Sequence, residues 1–211
     1  MNTTTSPQHH WDDVYARKPA EGVSWYRPHL ERSLALIDAA RLPRDAAILD
    51  VGGGASTLVD DLLDRGYTNV SVLDLSERAL DVARQRLGDR AASVRWIVGD
   101  ATTVELDAES IDFWHDRAVF HFLRDDDARR RYVAIARRAL KPGAHIVVAT
   151  FGPAGPERCS GLDVVRYDAE GIHGVFGAAF EKVGSDEETH VTPWGSEQQF
   201  VYCYCRVAAP R

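Results

Sequence analysis

Cysteine is scarce in this chain: Cys159, Cys203 and Cys205 are the only three among 211 residues. An odd number at these spacings argues against a disulfide scaffold and fits no zinc pattern. The expectation is three free thiols and no metal, with a soft metalloid held by all three as the alternative. Long hydrophobic runs are missing too; none approaches the ~20 residues of a membrane span. There is no excess of positive charge: 25 Lys and Arg against 32 Asp and Glu give a net charge of −7. That removes a general electrostatic grip on nucleic acid or an anionic membrane. The first ten residues lack the apolar core of a secretory signal, so a cytoplasmic location is expected. Repeats and low-complexity linkers are absent. What is present is 45% hydrophobic content, enough for one α/β domain with a full core.

Strand and helix patterns alternate through the middle of the chain. After a tail disordered to about Gln8, His10 to Arg17 reads as a short helix. Pro28 to Ala40 reads as another, with Leu30, Leu34 and Ile37 at helical spacing and Pro28 in the first turn. Strands are predicted at 47–51, 70–75, 94–98, 111–114 and 145–151. Between them lie helices at 56–65, 76–87 (capped by Ser76, stopped by Gly88) and 125–140, the last ended by Lys141-Pro142-Gly143. Tyr167 to Phe180 is a weaker helix. Two strands, 180–192 and 198–207, then close the chain through a turn at Thr192-Pro193-Trp194-Gly195. This alternation predicts a doubly wound, Rossmann-like α/β sheet, mostly parallel, with the hairpin supplying an antiparallel last strand.

The stretch Asp50-Val51-Gly52-Gly53-Gly54-Ala55-Ser56 turns a strand sharply into a helix. Such a turn exposes backbone N–H groups and lets a ligand approach the main chain. Three carboxylates stand at the ends of three successive strands: Asp50, Asp74 and Asp100. Asp74 follows Asp50 by 24 residues, about the spacing at which a second-strand carboxylate accepts from ribose hydroxyls. Asp100 is placed to accept from an exocyclic amine. Each has a structural alternative: orienting the loop for Asp50, capping the next helix for Asp74, forming a turn for Asp100. Together they outline a slot shaped for a nucleoside. Ser56 stands where a further glycine of a nucleotide-binding turn would be expected, which weakens a nicotinamide-dependent oxidoreductase reading.

These motifs resemble the class I S-adenosylmethionine-dependent methyltransferases. Asp50-Val51-Gly52-Gly53-Gly54 is similar to the glycine-rich first motif and Leu73-Asp74-Leu75-Ser76 to the ribose-binding second. Gly99-Asp100-Ala101 is similar to the adenine-contacting third, and Ile111 to Asp116 to the fourth strand, whose end faces the methyl group. The resemblance implies a seven-stranded sheet, S-adenosyl-L-methionine as donor and S-adenosyl-L-homocysteine as product. It implies a single methyltransferase domain over 1–211, with 1–27 as tail and cofactor lid and 28–211 as Rossmann-like core. His9 to Tyr15 with Val23-Ser24-Trp25-Tyr26 resembles an N-terminal segment that closes over the cofactor in related enzymes. Trp114 to Phe122 resembles the strand-four region of thiol methyltransferases. Implied cofactor-binding residues are therefore Trp11, Tyr15, Trp25, Asp50, Gly52, Gly53, Gly54, Ser56, Asp74, Leu75, Asp100, Ala101 and His115.

Methyl transfer from a sulfonium is an in-line displacement from an already activated leaving group, so alignment and exclusion of water matter most. Where the acceptor must lose a proton, His115 and Asp116 are the candidate bases, with His121 nearby. Arg117 is expected to pair with Asp116 or with an anionic acceptor. The loop from Phe151 to Ser160 is a candidate acceptor gate. The expected function is methyl transfer to a small-molecule nucleophile by a monomer or homodimer that engages neither nucleic acid nor membrane. Protein-lysine methylation and a non-catalytic S-adenosylmethionine-binding module are the alternatives.

Overall fold

The apolar runs form the inner strands of one sheet in this computed structural model, which describes residues 6–208. β1 (Ala47–Val51) is buried at all five positions, as a strand covered on both faces must be. β2 (Asn69–Asp74) and β4 (Ile111–Arg117) flank it in parallel. β3 (Val94–Val98) lies outside β2, and β5 (Leu140–Phe151) outside β4. A small ribbon of β6 (Arg158–Cys159) and β7 (Leu162–Asp163) stands apart. At the end of the chain β9 (Glu197–Val207) inserts between β5 and β8 (Phe180–Val191), antiparallel to both. The order is β3-β2-β1-β4-β5-β9-β8. It matches the expected seven-stranded sheet with one antiparallel strand. The direction of winding reverses between β1 and β4, which opens a crevice at their carboxyl ends.

Alternation along the strands sorts side chains between two cores. Ile48, Phe113, Val147 and Phe200 meet Leu34, Leu58 and Leu80 of α2 (Glu31–Ala39), α3 (Leu58–Asp64) and α4 (Glu77–Leu87). Leu49, Trp114, Ile146 and Val201 meet Tyr132 and Phe176 of α5 (Asp126–Ala139) and α6 (Ala169–Phe176) on the other face. Ser76 caps α4 by accepting from the Ala79 amide, and Asp125 caps α5 by accepting from the Ala128 amide.

Several expectations are corrected. α1 runs from Pro7 to Arg17 with Ser6 as its cap, so Pro7 and Gln8 are helical and not part of a disordered tail; residues 1–5 lie outside the described residues. α2 starts at Glu31 because the preceding turn is tied elsewhere: the Arg27 carbonyl accepts from Thr57 Oγ1 and His29 pairs with Asp61. Lys141-Pro142-Gly143 belongs to the start of β5, where Gly143 has φ +77° and the register with β4 shifts. The loop after β5 carries the β6–β7 ribbon. The cysteines do not converge. Cys203 and Cys205 lie in the α5–α6 core, whereas Cys159 lies in the core on the opposite face. Joint capture of a metalloid by all three thiols is therefore excluded. Among the described residues no group of three His, Cys, Asp or Glu side chains could hold a metal ion. No described helix is long and apolar enough to cross a membrane.

Candidate active site

The chain leaves β1 through Gly52 (φ +68°) and Gly54 (φ +37°), two left-handed positions that favour glycine. The space is as restrictive as the dihedral angles. A Cβ on Gly52 would stand 2.0 Å from Val119 Cγ2, and one on Gly54 would stand 2.7 Å from Asp74 Oδ2. The turn thus presents bare backbone to the crevice, with the end of β2 on one side and the end of β4 on the other.

Two cavities open there. The larger, about 490 Å³, runs from Asp74 and Asp100 past Gly52 and Ala118 to the ribbon residues Cys159 and Leu162. Trp11, Tyr15, Trp25, Leu75 and Ala101 also line it. Trp11 packs edge-on against Trp25 and Phe122, and Tyr15 against Trp25, so α1 and the following loop wall the cavity with aromatic rings. The smaller, about 40 Å³, lies between the glycine turn and the segment before α2. Asp50, Gly52, Gly53, Ser56, His115, Trp25, Tyr26, Arg27 and Arg117 contribute to its walls. Between them the cavities gather every expected cofactor residue except Gly54, which shapes the turn from behind.

The carboxylates divide the work. Asp74 Oδ1 accepts from the Ser76 amide at 2.8 Å. Burial, reinforced by the charges of Asp50 and Asp12, raises the Asp74 carboxyl to about 7. Asp100 is exposed, but its Oδ1 accepts from both the amide and the hydroxyl of the buried Thr102, at 2.7 Å each, which fixes its orientation. Asp50 is directed inward. It pairs in register with His115 across β1 and β4, and His115 Nδ1 donates to Asp50 Oδ1 at 2.7 Å. Nε2 of the same ring accepts from the Ser33 hydroxyl at 2.8 Å. All three side chains are buried.

His115 and Asp116 therefore face opposite cores, and each polar atom of both side chains already has a hydrogen-bond partner. Both nitrogens of His115 are committed. Asp116 accepts from the Val119 and Phe120 amides and from the Tyr132 hydroxyl at 2.6 Å, on the α5 side and off both cavity walls. Burial raises its carboxyl to about 6. Arg117 does not pair with Asp116. Its Nε donates to the Tyr202 hydroxyl, its Nη1 to the Trp25 carbonyl, and its Nη2 lies 3.6 Å from Glu188.

Ser33 and Arg117 carry more of the site than the sequence suggested. Ser33 was detectable: it falls on the inward face of α2 with Leu30, Leu34 and Ile37, where an unpartnered hydroxyl would be costly. Arg158 and Cys159 belong to the loop expected as an acceptor gate and line the cavity; Leu162, beyond that loop, joins them because the β6–β7 ribbon folds back.

Comparison with known proteins follows this geometry. A family model described as a methyltransferase domain matches residues 48–143. The ubiquinone/menaquinone biosynthesis C-methyltransferase UbiE of Methylobacterium nodulans is 33% identical over 140 residues, covering 64% of this chain and 53% of that protein. EEF1A lysine methyltransferase 2 of Danio rerio is 21% identical over 155 residues, covering 67% and 66%. The chain thus spans about half of the first relative and about two thirds of the second. The solved structure describing conversion of a disulfide bond into a thioacetal group during echinomycin biosynthesis superposes with a TM-score of 0.77 at 22% identity, covering 97% of this chain and 93% of that one.

Proposed function

We infer that this chain, whose residues 48–143 match a methyltransferase domain, is a class I S-adenosylmethionine-dependent methyltransferase that transfers a methyl group from S-adenosylmethionine to a small-molecule nucleophile. The observation that carries this reading is the larger cavity, where the Asp74 and Asp100 side chains and an aromatic wall meet at the reversal of strand order. The donor fits the residues present. Asp74 would take the ribose hydroxyls, Asp100 and Ala101 the adenine, and the glycine turn and small cavity the amino-acid end. The donor, when bound, supplies an electrophilic methyl group with a neutral thioether as leaving group.

The remaining chemistry belongs to the chain. Trp11, Tyr15 and Trp25 exclude water and present ring faces that favour a cation. The Asp50–His115–Ser33 chain holds the glycine turn against β4 and acts as a positioning element. His115 and Asp116, expected as bases, are proposed to be structural. In support of a small acceptor, α1 and the β6–β7 ribbon wall the cavity on two sides. The competing reading, methylation of a protein lysine, draws support from the similarity to the EEF1A lysine methyltransferase.

Incubation with methyl-labelled donor and fractionated cell extract tests the proposal. Label is expected in low-molecular-weight products, and quenching of tryptophan fluorescence is expected from S-adenosylhomocysteine but not from NAD. Label confined to protein would favour the lysine reading. Absence of quenching would remove the donor assignment itself.

A further inference from the structure

We propose that the acceptor is a small molecule whose nucleophilic atom is already an anion at neutral pH, a thiolate or a carboxylate, and that Arg117 selects it. This rests on the reading above that the Asp74–Asp100 end of the cavity holds the donor.

The charge on the cavity wall is unevenly distributed. Asp74 and Asp100 lie at the donor end. Away from them the wall carries Arg117, Arg124 and Arg158, with Asp163 as the one carboxylate among the described lining residues. Asp163 is shared, 3.2 Å from Arg124 and 3.1 Å from Arg158. Arg117 is 5% exposed, with its guanidinium 4.1 Å above the Phe200 ring. Its Nη2 is buried without a hydrogen-bond partner. The nearest carboxylate, Glu188, already accepts from Tyr202 at 2.6 Å and lies 3.6 Å from Arg27 as well. In a chain of net charge −7 this end of the cavity is locally positive. It attracts an anion and repels a lysine ammonium.

The second observation is that no described side chain at this end of the cavity is free to act as a base; its carboxylate, Asp163, is held by Arg124 and Arg158. Burial pushes the Cys159 thiol up to about 12 and raises the Tyr15 phenol, so both stay protonated. His121 sits behind Phe122, and burial beside Arg117 lowers it to about 3, too weakly basic to deprotonate an amine. His190 is likewise lowered by burial and by Arg117, and is bonded to the Ser24 carbonyl. An ammonium acceptor has nowhere to leave its proton. An anion needs no such transfer. Its charged atom forms the new bond to the methyl carbon as the carbon–sulfur bond of the sulfonium donor breaks, with the electron pair remaining on sulfur. One cation and one anion become a thioether and a neutral methylated product.

The test uses the whole chain saturated with S-adenosylhomocysteine, titrated calorimetrically with thiophenolate, benzoate and benzylammonium. The two anions are expected to bind, and benzylammonium at least tenfold more weakly. Arg117→Met should weaken anion binding tenfold or more, with partial recovery in Arg117→Lys. The surface variant Arg124→Gln/Arg158→Gln, which spares the core, should weaken it threefold and flatten its salt dependence. With labelled donor, thiophenol or benzoate should be methylated, and the rate should follow the acceptor's own ionisation. Tighter binding or preferred methylation of benzylamine or of a lysine peptide overturns the inference and leaves the methyltransferase reading standing. A chain that does not bind S-adenosylhomocysteine overturns both.

Discussion

The hydroxyl of Ser76 donates to Asp12 Oδ1 at 2.6 Å, joining α1 to the cap of α4 beside the Asp74 carboxylate. This bond matters because no residue of α1 is fully buried. Among the described residues the helix is held by its aromatic contacts and this polar latch, so it belongs to the least stable part of the fold. Loss of a hydrogen bond costs about 1 kcal/mol. Asp12→Ala is expected to speed amide exchange in α1 and to weaken S-adenosylhomocysteine binding by about five- to tenfold. The melting temperature should move by no more than about 2 °C, because the core is untouched. Hydrogen exchange and fluorescence titration measure the two effects, and unchanged exchange in α1 would dismiss the latch.

Ser33 tests whether the buried His115 is structural. Ser33→Ala removes one partner and leaves Nε2 of the ring unsatisfied in the core, which costs about 1–3 kcal/mol. Denaturant midpoints should fall accordingly with no change in m. The pH profile of methyl transfer should keep its shape, since no proton passes through this ring. A variant of normal stability with a shifted pH profile would return His115 to the role of base.

Asp74 links pH to both stability and binding. Its carboxyl lies at about 7 when folded, above an unfolded value near 4. Between those two values the folded chain binds more protons than the unfolded chain, so stability falls as pH rises from about 4 to about 7. The ionised carboxylate is the better acceptor for ribose hydroxyls. Binding of S-adenosylhomocysteine is therefore expected to tighten between pH 6 and 8. Asp74→Asn should remove that slope, weaken binding overall and raise the stability of the ligand-free chain at pH 8. Calorimetric titrations at three pH values, paired with thermal melts, provide the check.

The parallel core was legible because its inner strands are largely buried and read as apolar runs, as in Ala47–Val51. The hairpin was legible from the turn at Pro193 and Gly195. Asp74 and Asp100 were legible because a strand-end carboxylate stands where alternation stops. What stayed hidden depends on contacts between distant residues. His115 and Asp116 are adjacent and chemically alike as candidate bases, but strand alternation sends one toward Ser33 and the other toward Tyr132. Only the sheet register shows that Asp50 and His115 are neighbours. Arg117 was expected to pair with its neighbour Asp116 or with an anionic acceptor; its protein partners include Tyr202 and Glu188 on the terminal hairpin, not Asp116.

Gly52 is the position at which sequence and structure can be separated by experiment. Substitution meets two independent obstacles: φ of +68°, and the methyl of Val119 at 2.0 Å from an added Cβ. The backbone strain alone costs about 1–3 kcal/mol. Gly52→Ala is expected to be destabilised by more than that and to lose S-adenosylhomocysteine binding, because Val119 must retreat into the cavity it lines. Gly52→Ala/Val119→Ala relieves the collision but not the dihedral strain. The double variant should therefore recover part of the stability, ending about 1–3 kcal/mol below Val119→Ala alone. Chemical denaturation of the four proteins in that cycle measures the two obstacles separately. Full recovery in the double variant would mean that the left-handed turn imposes no cost, and the glycine would then be required for space alone.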